Sequence, residues 1–475
     1  MSAKGYAKVT GTVVSELRRI CGDRNVIFGD EQGLVPYASD ESGKEYFAMP
    51  EVVVKPQDAQ EVAAVLRLAN EELVPVTPRG AGSGLAGGAI PLYGGIVLST
   101  ERMQRVLEID SANMVAVVEP GVITNDLCKM VTEKDLYYAG YPMSLETSTI
   151  GGNVACNAGG GTVIKYGNTG HHVLGLEIAL PSGEVLDLGG KRRKDANGYN
   201  LVQTVVGSEG TLAVITRVIL NLLPAPGPRA SLLAAFSTVG DAASSVSQII
   251  TALRNLPVSI EFMDRATVDA VSRFLNDRLP SQDETEAYLL VQVEGATEAE
   301  MESMYETAGE TAFNAQAIEV FIMDDRPKVE RVWKFRQSAL EGLRAIDPTL
   351  HSEEVVVPTS FVPQVCGNIR KICAREKVVC GVHGHIGDGN LHLGIIRPEH
   401  LSPEQWKEKR RAIMAEIYES TKEYGGAISG EHGVGFVRLE FEKMMKKPAE
   451  FDLMRRLKAA FDPNGILNPG KVFPE

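Results

Sequence analysis

Val74-Pro-Val-Thr-Pro-Arg-Gly-Ala-Gly-Ser-Gly-Leu-Ala-Gly-Gly88 carries a literal G-x-G-x-x-G, Gly82 to Gly87. Its reading decides the fold of the first half of the chain. A dinucleotide-binding βαβ unit needs a strand before such glycines and a helix opening among them. Val74–Val76 supplies the strand. The residues that follow, Ala89-Ile-Pro-Leu-Tyr-Gly-Gly95, cannot continue a helix, and another strand (Ile96 to Ser99) comes next. The Rossmann reading is therefore rejected. What remains is a glycine-rich loop with bare backbone N–H groups, suited to phosphate oxygens, to which Arg79 could add a charge. A plain connecting loop is the competing reading.

A second glycine- and asparagine-rich loop, Tyr141 to Gly161, includes Thr149-Ile-Gly-Gly-Asn-Val-Ala-Cys-Asn-Ala-Gly159. It too keeps small residues where a bulky ligand would approach the backbone. Around these loops the pattern is mixed. Val14, Leu17 and Ile20 have helical spacing, and Asp58 opens a helix striped by Val62, Val65, Leu66 and Ala69. Val106–Ile109 and Val115–Glu119 read as a hairpin. Strands are expected at Val173–Ala179, Glu184–Leu188 and Ala213–Leu220.

Leu222-Leu-Pro-Ala-Pro-Gly-Pro228 marks a domain boundary by proline density. Beyond it, strands at Ser231–Phe236, Val258–Met263, Ala287–Val293 and Ala317–Met323 alternate with helices at Val239–Leu253 and Glu298–Ala312. Val329 to Arg344 reads as one helix carrying Trp333 and Arg336. Helices at Phe361–Arg375, Pro403–Tyr424 and Phe451–Phe461 follow, and the expected class is α+β.

Between them stands Gly381-Val-His-Gly-His-Ile-Gly-Asp-Gly-Asn-Leu-His-Leu-Gly394. Asp388-Gly389 is a strong signal for a two-residue hairpin turn. That turn would set His385 directly opposite His392, with Cβ atoms roughly 4.5–5.5 Å apart. His383, two residues before His385, shares its face. Three of the eight histidines thus converge on one side of one hairpin, a spacing that can close on a metal ion. The competing reading is a polar hairpin whose histidines hydrogen-bond nearby carbonyls.

At 475 residues the chain should hold two or three domains. A net charge of −14 disfavours a nucleic-acid surface. The dense basic run Lys191-Arg-Arg-Lys194 is most simply a solvated loop. Six scattered cysteines without a C-x-x-C argue against a zinc ribbon or an iron–sulfur cluster built by this chain alone. They fit a reducing cytoplasm. Neither an apolar signal segment in Met1–Thr12 nor a membrane span is read.

The stretches Pro78–Gly84, Thr149–Gly159, Gly207-Ser-Glu-Gly-Thr-Leu212, Gly387–His392, Gly430-Glu-His-Gly433 and Leu467-Asn-Pro-Gly-Lys471 stand in one order. In this the chain resembles the FAD-linked oxidases of the vanillyl-alcohol oxidase superfamily. The branch it is most similar to holds the glycolate oxidase D subunit, D-lactate dehydrogenases and D-2-hydroxyglutarate dehydrogenase. The resemblance implies a PCMH-type FAD-binding domain (45–224), preceded by the N-terminal helical segment (1–44) read from the spacing of Val14, Leu17 and Ile20. An α+β cap over the flavin (225–424) and a C-terminal segment returning to it (425–475) would follow.

It further implies cofactor contacts from Arg79, Gly80, Ala81, Gly82, Ser83, Gly84, Ser148, Thr149, Gly152, Asn153, Asn157, Gly159, Glu209, Gly210, Ile215 and Asn468. Ser83 stands where many relatives carry a flavin-linking histidine, so non-covalent FAD is expected. His385, His392 and Glu431 would ligate a divalent metal (Zn, Mn or Fe), His432 would act as general base, and Arg336 would bind the substrate carboxylate.

Leu340 and Leu393-Gly394 stand where relatives acting on 2-hydroxyglutarate hold a second carboxylate. A small D-2-hydroxy acid, D-lactate or glycolate, is therefore the expected substrate, with D-2-hydroxyglutarate the alternative. Electrons are expected to leave to a partner protein, an electron-transferring flavoprotein or an iron–sulfur subunit, with O₂, a quinone or a cytochrome as the alternatives, and a homodimer is an open expectation. A flavin-carrying electron-transfer subunit and a metal-dependent hydrolase are the competing functional classes.

Overall fold

The computed structural model describes residues 5–323 and 325–474. The chain forms two compact units. One comprises Met1–Gly159, Gly167–Ala225 and Glu431–Glu475; the other comprises Gly160–Tyr166 and Pro226–Gly430.

In the first unit, the strands Val26–Ile27, Val52–Val54, Ile96–Ser99 and Val76–Arg79 form a four-stranded sheet in that order. Ile96–Ser99 runs parallel to both of its neighbours. The helix Ala59–Glu71 starts where the sequence suggests, because Asp58 accepts hydrogen bonds from the backbone N–H groups of Gln60 and Glu61. Its buried stripe (Val62, Val65, Leu66, Ala69) joins Val52, Val54, Val76 and Ile96 in one core. Ile466 and Leu467 complete that core, and Ile466 O accepts from Val76 N at 2.8 Å. No helix opens between Arg79 and Ile96, so the rejection of a Rossmann unit holds.

A second sheet of five antiparallel strands follows the order Val106–Asp110, Val115–Val118, Val214–Asn221, Val173–Ala179, Val185–Gly189. Its core includes Ala116, Val118, Leu176, Ile178, Ile215 and Val218. The helix Ile150–Cys156 packs here through Ile150 and Val154. The sequence predicts a loop here, since two glycines and an asparagine hide a one-sided apolar pattern of only two residues.

The other unit is built on a seven-stranded antiparallel sheet. Its order is Ala317–Met323, Arg229–Phe236, Ala287–Glu294, Ser259–Asp264, Val379–His385, Asn390–Ile396, Glu353–Val356. Two expectations need correction here. The segment Val329–Arg344 is not one helix: Arg326–Gln337 and Ala339–Ile346 are separate, broken at Ser338. The break lets the second helix seat on the helix Arg265–Leu275. Gly342 makes this possible, since a Cβ there would lie 3.0 Å from Val271 Cα. Leu340 is therefore not one turn beyond Arg336 on a continuous helix.

The second correction concerns the hairpin. Asp388 does not adopt the positive φ that a tight two-residue turn requires; Ile386–Asp388 forms a short 3₁₀ turn and Gly389 alone takes it, at 84°. The loop therefore holds four residues, Ile386 to Gly389, and the register moves accordingly. His383 lies opposite His392, and His385 lies opposite Asn390. Shared-face geometry survives the correction, because His383 and His385 are two residues apart. Among the described residues no helix is long and apolar enough to cross a membrane.

Candidate active site

The antiparallel register gathers polar residues on one face of the seven-stranded sheet. Glu354 pairs with His392, His392 with His383, and Met263 with His383. Glu261, two residues before Met263, therefore shares the face, as do His385 and Asn390. Glu261, Glu354, His383, His385, Asn390 and His392 are all buried. The rings of His383 and His385 each have their centroid 5.3 Å from that of His392. Six polar side chains on four adjacent strands, in a sheet otherwise rich in Val, Leu and Ile, have no packing explanation.

Glu261 organises this face. Oε1 lies 2.8 Å from Nδ1 of His385, and Oε2 accepts from Nε of Arg336 at 2.7 Å. Burial alone would push its carboxyl up, but the His385 and Arg336 interactions outweigh it and hold it below the ordinary glutamate value. A carboxylate on Nδ1 orients the imidazole and assigns any ligand role to Nε2, the arrangement that accompanies metal-binding histidines. Arg336 reaches Glu261 from the helix Arg326–Gln337. Its Nη2 is buried with no hydrogen-bond partner among the described residues. A buried donor of that kind suits a ligand oxygen.

Glu354 accepts from Oγ of Ser429 at 2.6 Å and from the N–H of Gly430 at 3.2 Å. Gly430 sits against Asn390, whose Cγ would be 2.9 Å from a Cβ at that position. Sequence reasoning missed both Glu261 and Glu354. The available signal was a lone acidic residue inside the apolar run Ser259-Ile-Glu-Phe-Met263, and an acidic pair just before Val355.

Two further residues carried over by resemblance, Glu431 and His432, belong to the first unit. There Nε2 of His432 lies 3.6 Å from Oε1 of Glu431.

The same unit holds every residue assigned to the cofactor. Gly80 and Thr149 bring the two glycine-rich segments together: a Cβ on Gly80 would lie 2.5 Å from Thr149 Oγ1. That hydroxyl is buried without a hydrogen-bond partner among the described residues. Leaving it so costs about 1–3 kcal/mol, which an oxygen-rich ligand between the loops would relieve. The bare backbone of Gly80, Ala81, Gly82, Ser83 and Gly84, with Gly152 beside Thr149, fits a diphosphate.

Several neighbouring side chains also make hydrogen bonds within the protein. Arg79 donates to Ser39 O (2.9 Å) and Pro36 O (3.1 Å), so its charge is committed beneath the loop. Oγ of Ser148 and Nδ2 of Asn153 both bond Thr124 Oγ1, and Asn157 accepts from Gly170 N. Asn468 donates to Gly88 O at 3.0 Å and Glu209 O at 2.8 Å. Ile215 is buried in the five-stranded core. Gly210 takes a φ of 68°, and Gly159 closes the first stretch of the unit.

Comparison with known proteins agrees with both halves. Residues 50–189 match the FAD binding domain family, and residues 225–472 match the C-terminal domain of FAD linked oxidases. The chain is 37% identical to glycolate oxidase subunit GlcD of Bacillus subtilis (strain 168), covering 98% of this chain and 97% of that one. It is 35% identical to D-lactate dehydrogenase of Anaerostipes hadrus, with 99% of each chain covered. Against D-2-hydroxyglutarate dehydrogenase of Stutzerimonas stutzeri (strain A1501) the identity is 30%, over 97% of this chain and 98% of that one. The fold is also that of p-cresol methylhydroxylase, at a TM-score of 0.80 and 17% identity, over 99% of this chain and 98% of that chain. The chain belongs to the FAD-linked oxidases, in the family of glycolate oxidase subunits and D-lactate and D-2-hydroxyglutarate dehydrogenases, and is an FAD-dependent oxidoreductase.

Proposed function

We propose that this oxidoreductase converts a small D-2-hydroxy acid, D-lactate or glycolate, to the 2-oxo acid with non-covalent FAD and a divalent metal. The observation that carries the reading is the buried face on which Glu261 holds both Arg336 and His385 beside His392. Arg336 offers a planar, permanently charged fork to the substrate carboxylate. His385 and His392, with Glu431, are the proposed ligands of Zn²⁺, Mn²⁺ or Fe²⁺, whose charge would make the substrate hydroxyl more acidic. His432 takes the hydroxyl proton, a role matched by its near-neutral intrinsic pKa. When bound, FAD supplies the oxidising ring that accepts the α-hydrogen with its electron pair.

The strand face itself limits substrate size. Gly394, two residues beyond His392 and on its face, lies under Leu343 and Leu350; a Cβ there would be 2.7 Å from Leu343 Cδ1. Leu340 joins the same apolar cluster. A second carboxylate placed among these groups would be buried without partners, at a cost of several kcal/mol. Electrons then pass to a partner protein, an electron-transferring flavoprotein or an iron–sulfur subunit.

The test is anaerobic bleaching of the flavin by a panel of D- and L-2-hydroxy acids. Rapid bleaching by D-lactate or glycolate, and slow bleaching by D-2-hydroxyglutarate, is the expected result. The reverse order would overturn the substrate reading, and no bleaching by any member would leave a flavin-carrying subunit without its own chemistry.

A further inference from the structure

Glu209 lies in Gly207-Ser-Glu-Gly210, a turn far in sequence from Glu431-His432. Its carboxylate nevertheless grips the backbone immediately after that pair. Oε1 accepts from the N–H of Val434 and Oε2 from the N–H of Gly435, each at 2.8 Å. Two consecutive amides aimed at one acid form a small anion-holding nest, filled here by a side chain of the same chain. Space around the contact is tight. Gly433 has a φ of 83°, and a Cβ on it would lie 2.8 Å from Glu209 Oε1. From the other side, Nη1 of Arg438 donates to Gly433 O at 3.0 Å. The turn is thus held by opposite charges on its amides and its carbonyl.

Glu209 is itself held in an unfavourable conformation. Its φ of 51° lies in the left-handed region, which costs a non-glycine residue on the order of 1 kcal/mol or more. Its own N–H donates to Ala155 O at 2.8 Å, and its carbonyl accepts from Asn468. Both ends of the residue are therefore fixed before the side chain reaches out. A strained, doubly anchored, buried acid whose two oxygens take two neighbouring amides is more than a local turn requires.

We propose that Glu209 is a positioning residue for His432: it fixes the turn that carries the base, two residues from the imidazole. This rests on the reading of His432 as proton acceptor. Glutamine in its place offers one acceptor and turns an NH₂ toward the second amide, so the turn loses half its anchor and gains a repulsion. Misplacing a reacting group by about 1 Å costs on the order of 100-fold.

The experiment uses the flavin-loaded full chain and four proteins: wild type, Glu209→Gln, His432→Ala and the double variant. D-lactate is the substrate, or whichever acid of the panel bleaches the flavin fastest. Glu209→Gln is expected to keep its flavin and a KM within about twofold, while kcat falls 10- to 100-fold. In the His432→Ala background the same change should cost nothing further. Glu209→Asp, which keeps the charge but withdraws the oxygens by one methylene, should fall between wild type and glutamine, and it carries the test if the glutamine variant does not fold. Unchanged kcat in both Glu209 variants overturns the proposal alone, as does an equal loss in both backgrounds. Loss of flavin returns Glu209 to a cofactor-binding role and overturns it too. Full turnover in His432→Ala removes the base reading and the proposal with it.

Discussion

Nε of Arg336 lies 2.7 Å from Oε2 of Glu261, with both side chains buried. An ion pair of this kind adds little net stability when intact, because both charges were taken from water. Breaking it is another matter. Glu261→Ala leaves the guanidinium buried and unmatched and releases His385 Nδ1 as well. A loss of about 3–5 kcal/mol is expected, read as a lower urea midpoint. A midpoint equal to wild type would show that the face can rehydrate around Arg336.

His392 provides a separate test of the metal. His392→Ala is expected to lower bound divalent metal to background in elemental analysis of the purified protein while the flavin absorbance is kept. Full metal content in that variant would remove His392 from the ligand set. Dialysis of wild type against a chelator should likewise abolish flavin bleaching by substrate, with recovery on adding back Zn²⁺, Mn²⁺ or Fe²⁺.

Acid and base affect stability through Asp264, which caps the helix Arg265–Leu275 by accepting from Thr267 N at 2.9 Å. Desolvation pushes its carboxyl up from the ordinary 3.8 to about 6, against hydrogen bonds from Thr267 and the Val382 backbone that pull it down. A raised carboxyl binds its proton more tightly when folded. Its contribution is therefore full below pH 3.8 and is lost as pH rises through about 6. The size is up to ~3 kcal/mol. Asp264→Asn keeps the cap and removes the titration, so its unfolding free energy should be flatter between pH 4 and 6. A slope identical to wild type in that window would contradict this.

Cofactor retention is tested at Gly80, which Thr149 Oγ1 approaches too closely for any side chain. Gly80→Val should yield folded protein that has lost its yellow colour. In wild type, acid precipitation should release the flavin into the supernatant, since the proposed attachment is non-covalent. Colour remaining in the pellet would mean a covalent attachment elsewhere.

Some local structure was legible from signals acting within a few residues. Asp58 announces its helix, and the proline-glycine composition after Arg79 rules out a helical continuation, because both effects act within a few residues. The face of the histidine hairpin was legible for the same reason, since alternation depends only on period two. Its register was not: Gly389, which alone takes the positive φ, lies so close to the Val357 carbonyl that a Cβ there would clash, a contact with a distant part of the chain that the local sequence does not show. The break at Ser338 was hidden similarly, being set by packing of Gly342 on Val271. Glu261 and Glu354 come from strands more than ninety positions apart in the chain, and nothing in either stretch alone predicts that antiparallel pairing sets them on one face with three histidines.

The return of Ile466 and Leu467 to the core beside Val76 bears on how the protein is made. During synthesis, the glycine-rich loops emerge hundreds of residues before the segment that completes the sheet beneath them. Until translation reaches that segment, the parallel strands wait with an open apolar flank while the other unit is produced. A nascent chain stalled after residue 430 therefore exposes Val76 and its neighbours to water, and chaperone capture should persist until Ile466 and Leu467, which follow the helix Pro448–Phe461, leave the ribosome.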